Sequence, residues 1–175
     1  MSSSPEQLLI RIKTQMLYPR FLDRIRAMLE ACSDNGFDYW AISGLRSARE
    51  QDDLYAQGRT RPGVIVTNAR GFQSAHNFGL AVDFARDRDT KRTGLQPGWE
   101  APDYEELGRQ ARAHGLVWGG DFAMKDRPHV QLPGYVTSGQ LAPLKQTYLA
   151  SGQIQELFGL QAVWSSLDAN ASATL

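Results

Sequence analysis

The sequence predicts a single small α+β domain: a short antiparallel sheet flanked by helices, followed by a helical C-terminal tail. Three observations carry this. Amphipathic stretches of helical period occur at residues 17–32 and 102–114. Short aliphatic runs of strand length lie between and after them, at 37–43, 79–84 and 129–132. Beyond Pro133-Gly134 only helical patterning remains.

The elements follow in order. Phe21, Ile25, Met28, Leu29 and Cys32 recur at helical spacing, so 17–32 reads as a helix with one apolar face, stopped by Asn35-Gly36. The aromatic and aliphatic run 37–43 reads as a buried strand, and Gly44-Leu45-Arg46 turns out of it. Ser47-Ala48-Arg49-Glu50 matches a capping box, in which serine and glutamate satisfy each other's backbone amides; it predicts a helix over 48–57 with Gly58 just past its end. Residues 59–73, rich in Gly, Thr and Arg around Val64-Ile65-Val66, read as a loop. A strand over 79–84 carries Asp83, and the charged stretch 86–99 is expected to be an exposed loop. Pro102 opens and Gly115 follows the helix expected at 102–114. Trp118-Gly119-Gly120-Asp121 reads as a turn and 129–132 as a strand. Two helices are expected at 141–149 and 154–167, with 168–175 frayed. The domain is therefore placed at 1–134 and a helical extension, packed on it, at 135–175.

Composition narrows the function. At 175 residues the chain is long enough for one core and marginal for two. Nineteen basic residues balance nineteen acidic ones, so no global field exists to hold nucleic acid or anionic lipid. The single cysteine, Cys32, excludes an intrachain disulfide, and its place on an apolar helix face makes it core packing rather than a nucleophile. No apolar run approaches membrane-spanning length, and residues 1–7 lack the basic and apolar regions of a secretory signal. Synthesis in the cytoplasm without a signal peptide, and no membrane insertion, are the expectations.

The chemistry is concentrated in two blocks, Ser74-Ala75-His76-Asn77-Phe78-Gly79-Leu80-Ala81-Val82-Asp83 and Asp126-Arg127-Pro128-His129. Two imidazoles and a carboxylate, His76, His129 and Asp83, make the donor set of a zinc ion with an open fourth position. Asp126, just before the last donor, supplies a second carboxylate that could manage the protons of an activated water. Gly79 and Ala81 are small enough to let backbone pass close by, and Pro128 stiffens the approach to His129. His114 is a third histidine, but it falls in the last turn of a helix before Gly115, where positive charge is favourable anyway, so no metal role is expected. Asp121 reads as a turn residue, Trp118 as core and loop-shaping, and the Leu157, Phe158, Leu160, Val163, Trp164, Leu167 stripe as helix packing.

On these residues the chain resembles the zinc peptidases of bacterial and phage cell-wall turnover, a group of L-alanyl-D-glutamate endopeptidases, D-alanyl-D-alanine carboxypeptidases and D-Ala-D-Ala dipeptidases. The resemblance is carried by Ser43-Gly44-Leu45-Arg46-Ser47 with Gln51 and 54–60, by 74–83, by 115–122 and by 126–129, in the family's order. It looks closest to the L-alanyl-D-glutamate endopeptidases that serve as phage endolysins. The resemblance implies one zinc per chain on His76, Asp83 and His129, Asp126 as general base, and Arg46 steadying the carbonyl oxygen as charge develops on it. Gln51 and Ser74 are then expected to bind substrate or stand behind the ligands. The implied substrate is a peptidoglycan stem peptide, its anionic D-glutamyl group suiting Arg46 with Arg59 or Arg61. A monomer, acting on the wall or periplasm with a holin for export, completes the expectation. The alternatives are a D-Ala-D-Ala carboxypeptidase or dipeptidase, and a non-enzymatic zinc module like the hedgehog signalling domains that resemble this fold; an intact Asp126 and Arg46 argue against the latter.

Overall fold

In chain order, helix α1 (Pro5–Leu9) and helix α2 (Pro19–Asp34) lead into strand β1 (Tyr39–Ser43) and helix α3 (Ala48–Ala56). Strands β2 (Ala81–Asp87) and β3 (Pro97–Gly98), helix α4 (Glu105–Ala113), and strands β4 (Val117–Trp118) and β5 (His129–Gln131) follow. Helices α5 (Ser138–Ala150) and α6 (Glu156–Ser172) close the chain. Tight 3-10 turns sit at Thr14–Met16, Ala75–Phe78, Ala101–Tyr104 and Gly119–Asp121. This computed structural model describes residues 3–89, 91, 94–152 and 156–172. The class is the expected α+β, a small antiparallel sheet flanked by helices. The chain forms two compact units, Met1–Leu45 with Leu80–Pro133, and Arg46–Gly79 with Gly134–Leu175.

The first unit holds the sheet, in order β1-β2-β5-β4, with β3 also paired to β2 and every pairing antiparallel. Asp83 on β2 stands opposite His129 on β5 and opposite Ser43 on β1. The sheet's central strand thus sets two candidate donors side by side. Helix α2 packs against α1 and α4 and reaches β1. Its face of Phe21, Ile25, Met28, Leu29 and Cys32 is wholly buried, which places each of the four larger side chains at about 1.5–3 kcal/mol of burial. Tyr39 ties strand to helix: its hydroxyl donates to Asp103 O at 2.6 Å and accepts from Leu107 N at 3.2 Å. Burial pushes the Cys32 thiol up to about 12, so it is inert packing, as expected.

The second unit opens on the expected capping box. Ser47 accepts from Glu50 N, and the Glu50 side chain accepts from Ser47 N at 2.8 Å. Gly58 takes φ 73° past the end of α3, and a Cβ there would lie 2.6 Å from Ile65 N. Helix α5 starts on a further capping box, Thr137 with Gln140, and contacts α6. Leu141 and Leu144 of α5 and Leu160, Val163, Trp164 and Leu167 of α6 are buried, so most of the predicted stripe packs; Phe158 is exposed.

Several expectations change. The 86–99 stretch is not simply an exposed loop: β2 runs on to Asp87, which is buried, and Pro97–Gly98 pairs with it. Backbone ladder bonds there outweigh a charged, glycine-containing composition. The 102–114 helix is split into a 3-10 turn and α4. Trp118 belongs to β4, and only Gly119–Asp121 forms the turn. Helix α6 continues through Asp168 to Ser172 rather than fraying. Helix α1 was not anticipated; the Ser4–Gln7 capping box that starts it is local side-chain chemistry in a polar segment. Thr90, Arg92 and Thr93 of the expected loop, Ile154 and Gln155 at the expected helix start, and 173–175 of the expected frayed end lie outside the described residues. Among the described residues, no helix is long and apolar enough to cross a membrane.

Candidate metal centre

In the first unit, Asp83 and His129 meet across the β2–β5 ladder, Nδ1 of His129 lying 3.0 Å from Oδ1 of Asp83. The other ring nitrogen, Nε2, lies 2.8 Å from Gln131 Oε1. The Gln131 amide nitrogen turns toward Leu132 O at 3.5 Å, which leaves the oxygen for the ring. An amide oxygen only accepts, so Nε2 is the donor there, and what lies between Nδ1 and the Asp83 carboxylate around this buried ring is a proton or a cation. Burial by itself would push the pKa of His129 down; the bond and charge of Asp83, the Gln131 bond and the Asp126 charge outweigh it and hold the ring above the ordinary imidazole value. The same surroundings favour a metal ion.

Asp126 is exposed, and its backbone is fixed on both sides: its N–H donates to Gly119 O at 2.9 Å and its carbonyl accepts from His129 N at 3.1 Å. The tight turn depends on Gly119, where a Cβ would collide with Asp126 O. Asp121 is held by Arg112 in a two-pronged pair at 2.9 and 2.6 Å, and Trp118 Nε1 donates to Arg127 O at 2.7 Å. Both therefore shape the turn, as expected. His114 sits at the C-cap of α4, its Nδ1 2.8 Å from Gln110 O.

In the second unit, His76 is buried in the 3-10 turn Ala75–Phe78. Ser74 is the N-cap of that turn, its hydroxyl accepting from His76 N at 3.4 Å. Arg46 is joined to the turn through its backbone: Arg46 N donates to His76 O at 3.1 Å, and Asn77 Nδ2 donates to Arg46 O at 2.8 Å and to Ser47 O at 3.3 Å. Gln51 is fully buried and engaged at both ends, Oε1 accepting from Arg46 at 2.8 Å and Nε2 donating to Ala69 O at 2.9 Å. Its side chain stands behind Arg46. Arg59 is spent on α3 and its own loop, bonding Tyr55 O, Thr67 O and Asn68 Oδ1, and Arg61 pairs with Asp53 at 2.8 Å.

Among the described residues, one group of histidine, cysteine or acidic side chains could hold a metal: His76, Asp83 and His129, one donor atom of each within 4.8 Å of the others. Two imidazoles and a carboxylate suit zinc with one position open. Sequence reasoning passed over Asn77 and the structural role of Gln131. Asn77 stands where a capping box expects Glu or Gln, so the motif rule does not flag it. Gln131 is two residues beyond a donor on a strand, on the same face, and that spacing was the available signal.

The chain is 40% identical over 124 residues to the peptidoglycan L-alanyl-D-glutamate endopeptidase CwlK of Bacillus subtilis, covering 66% of this chain and 73% of that protein. Its fold is similar to the crystal structure of the L-Ala D-Glu endopeptidase ChiX of Serratia marcescens, with TM-score 0.50 and 24% identity over 75% of this chain and 88% of that one. Residues 14–130 match the VanY family of D-alanyl-D-alanine carboxypeptidases, and the chain belongs to that family.

Proposed function

We propose that the protein is a zinc peptidase that hydrolyses the L-Ala–D-Glu bond of peptidoglycan stem peptides. The observation that carries this reading is the His76, Asp83, His129 donor group beside an exposed Asp126. The identity to CwlK supports the choice of bond.

In this reading His76, Asp83 and His129 hold one zinc ion, with Nδ1 as the His129 donor. When bound, zinc supplies a Lewis acid able to lower the pKa of a water from about 15.7 to roughly 7. Asp126 takes the proton from the attacking water and returns it to the departing amine. Arg46 balances the charge developing on the scissile carbonyl oxygen, in the geometry imposed by Gln51. Gln51 and Ser74 contribute to substrate binding by fixing Arg46 and His76 rather than through free polar ends. The peptidase domain spans 1–134. The extension 135–175 packs on it, a reading supported by the bond from Trp164 Nε1 to Phe78 O. We further read the protein as a monomeric phage endolysin that crosses the inner membrane with a holin and acts on the wall.

The family's description favours a second reading, release of terminal D-Ala by a carboxypeptidase. Mass spectrometry of a muropeptide digest separates the two. Stem peptides with new D-Glu amino termini, and falling turbidity, support the endopeptidase. Free D-Ala with an intact network supports the carboxypeptidase. Neither product, from zinc-loaded protein on several wall types, would leave a non-enzymatic zinc module.

A further inference from the structure

Residues 131–175 lie beyond the family match, which ends at residue 130. Within the second unit, α5 and α6 of this stretch meet the segment around His76 at two places. Trp164 of α6, itself buried, donates from Nε1 to Phe78 O at 2.9 Å. Phe78 is the last residue of the His76 turn and is fully buried. At the other end stands Phe72, the only non-glycine residue with positive φ among the described residues, at 63°. That backbone region is unfavourable for a bulky side chain and persists only where the surroundings over-determine it.

The surroundings do so here. The Phe72 ring lies 5.4 Å from the ring of Tyr148 on α5 and 6.2 Å from that of Phe78, with Lys145 Nζ 5.6 Å from it. On the backbone side, Gly71 N donates to Asp52 Oδ1 at 2.8 Å, tying the preceding residue to α3. Tyr148 is seated in turn by Gly159 of α6, where a Cβ would stand 2.6 Å from its ring. Phe72 and Phe78 bracket Ser74, His76 and Asn77, and α5 and α6 grip both brackets.

We infer that the C-terminal helices are a positioning element for the His76 donor, with Trp164 and Tyr148 as its positioning residues. The inference rests on the metal reading proposed above. The indole bond fixes the end of a one-turn segment that carries a single donor. Losing it leaves a buried carbonyl unpaired and lets the turn relax, which a metal site registers as weaker binding.

The test is zinc affinity by chelator competition on the full chain, with circular dichroism and thermal melting on each variant. Trp164→Phe keeps the ring and removes the N–H. Tyr148→Leu removes the ring from Phe72 and decides the matter should Trp164→Phe fail to fold. Leu107→Ala, a buried change in the first unit, is the control for general destabilisation. We expect zinc binding weakened about 10-fold in Trp164→Phe and in Tyr148→Leu, within the range typical of residues that orient a ligand. Leu107→Ala should melt lower yet bind zinc as the wild type does. Wild-type affinity in folded Trp164→Phe and Tyr148→Leu, or an equal loss in Leu107→Ala, would overturn the inference and leave the metal reading standing. A wild-type chain that binds no zinc would instead overturn the metal reading, and this inference with it.

Discussion

The amide of Arg46 donates to the carbonyl of His76 at 3.1 Å, and the Asn77 side chain returns a bond to Arg46 O at 2.8 Å. The proposed oxyanion partner and a proposed metal donor are thereby parts of one backbone clasp. Their separation in sequence conceals this, because neither bond involves the functional end of either side chain.

Asn77 is the weak point of the clasp. Asn77→Ala removes, from a buried side chain, donors to Arg46 O and Ser47 O and the acceptor for Ser74 N, on residues that are themselves half-buried. We expect a loss of about 1–2 kcal/mol in stability, the low end of the scale for leaving polar partners unpaired, since water reaches these in part. Hydrolysis should fall by more than the loss of folded protein explains. Asn77→Asp keeps the acceptor and loses the donors, so it should resemble alanine rather than wild type. Urea denaturation and rates on purified wall check both.

Asp126→Ala should separate chemistry from structure. The backbone bonds of Asp126 to Gly119 and His129 survive the change, and Asp126 is not proposed as a donor. Zinc content and melting temperature should stay near wild type while hydrolysis falls by about 100-fold or more. Asp126→Glu keeps the carboxylate one methylene away, and partial activity is expected. Asp121→Asn loses an exposed pair with Arg112 and should cost no more than about 1 kcal/mol, with the rate retained. A rate lost in Asp121→Asn and kept in Asp126→Ala would exchange their assigned roles.

Gly119→Ala addresses the turn that sets Asp126 beside His129. The added Cβ would collide with Asp126 O and stand 2.9 Å from His129 Cβ. Backbone must shift, at about 1–3 kcal/mol, and both residues move with it. Zinc affinity and hydrolysis should drop together. Gly139→Ala on α5, where the nearest atom is 3.9 Å away, should be neutral or slightly stabilising and serves as the comparison.

What could be read in the sequence divides along physical lines. Helix α2 was legible because its apolar face repeats at helical spacing, and α3 because Ser47 and Glu50 form a local cap. The candidate donors His76, Asp83 and His129 stand out through their flanking residues. Strand β3 was not legible, since two residues paired to β2 leave no periodic trace. The left-handed Phe72 is held by rings contributed from Tyr148 and Phe78, and nothing in its neighbours announces it. Trp164 reaches Phe78 across 86 positions, and the pattern of α6 showed only that the indole was apolar enough to bury. The sequence leaves Gln51 either a substrate contact or a support behind the ligands; its burial behind Arg46 comes from bonds to Ala69 and Thr67, on a loop whose path composition does not specify.

Metal removal and return, read out by the bond cleaved, tests the central claim most directly. Protein stripped with a chelator should release no peptides with new D-Glu amino termini from peptidoglycan. Zinc added back should restore that product, saturating at one ion per chain. His76→Ala should recover nothing at the same zinc concentration, and His114→Ala should recover fully. Undiminished release by the stripped protein would contradict the account at the metal, and zinc-restored release of free D-Ala in place of D-Glu termini would contradict it at the bond.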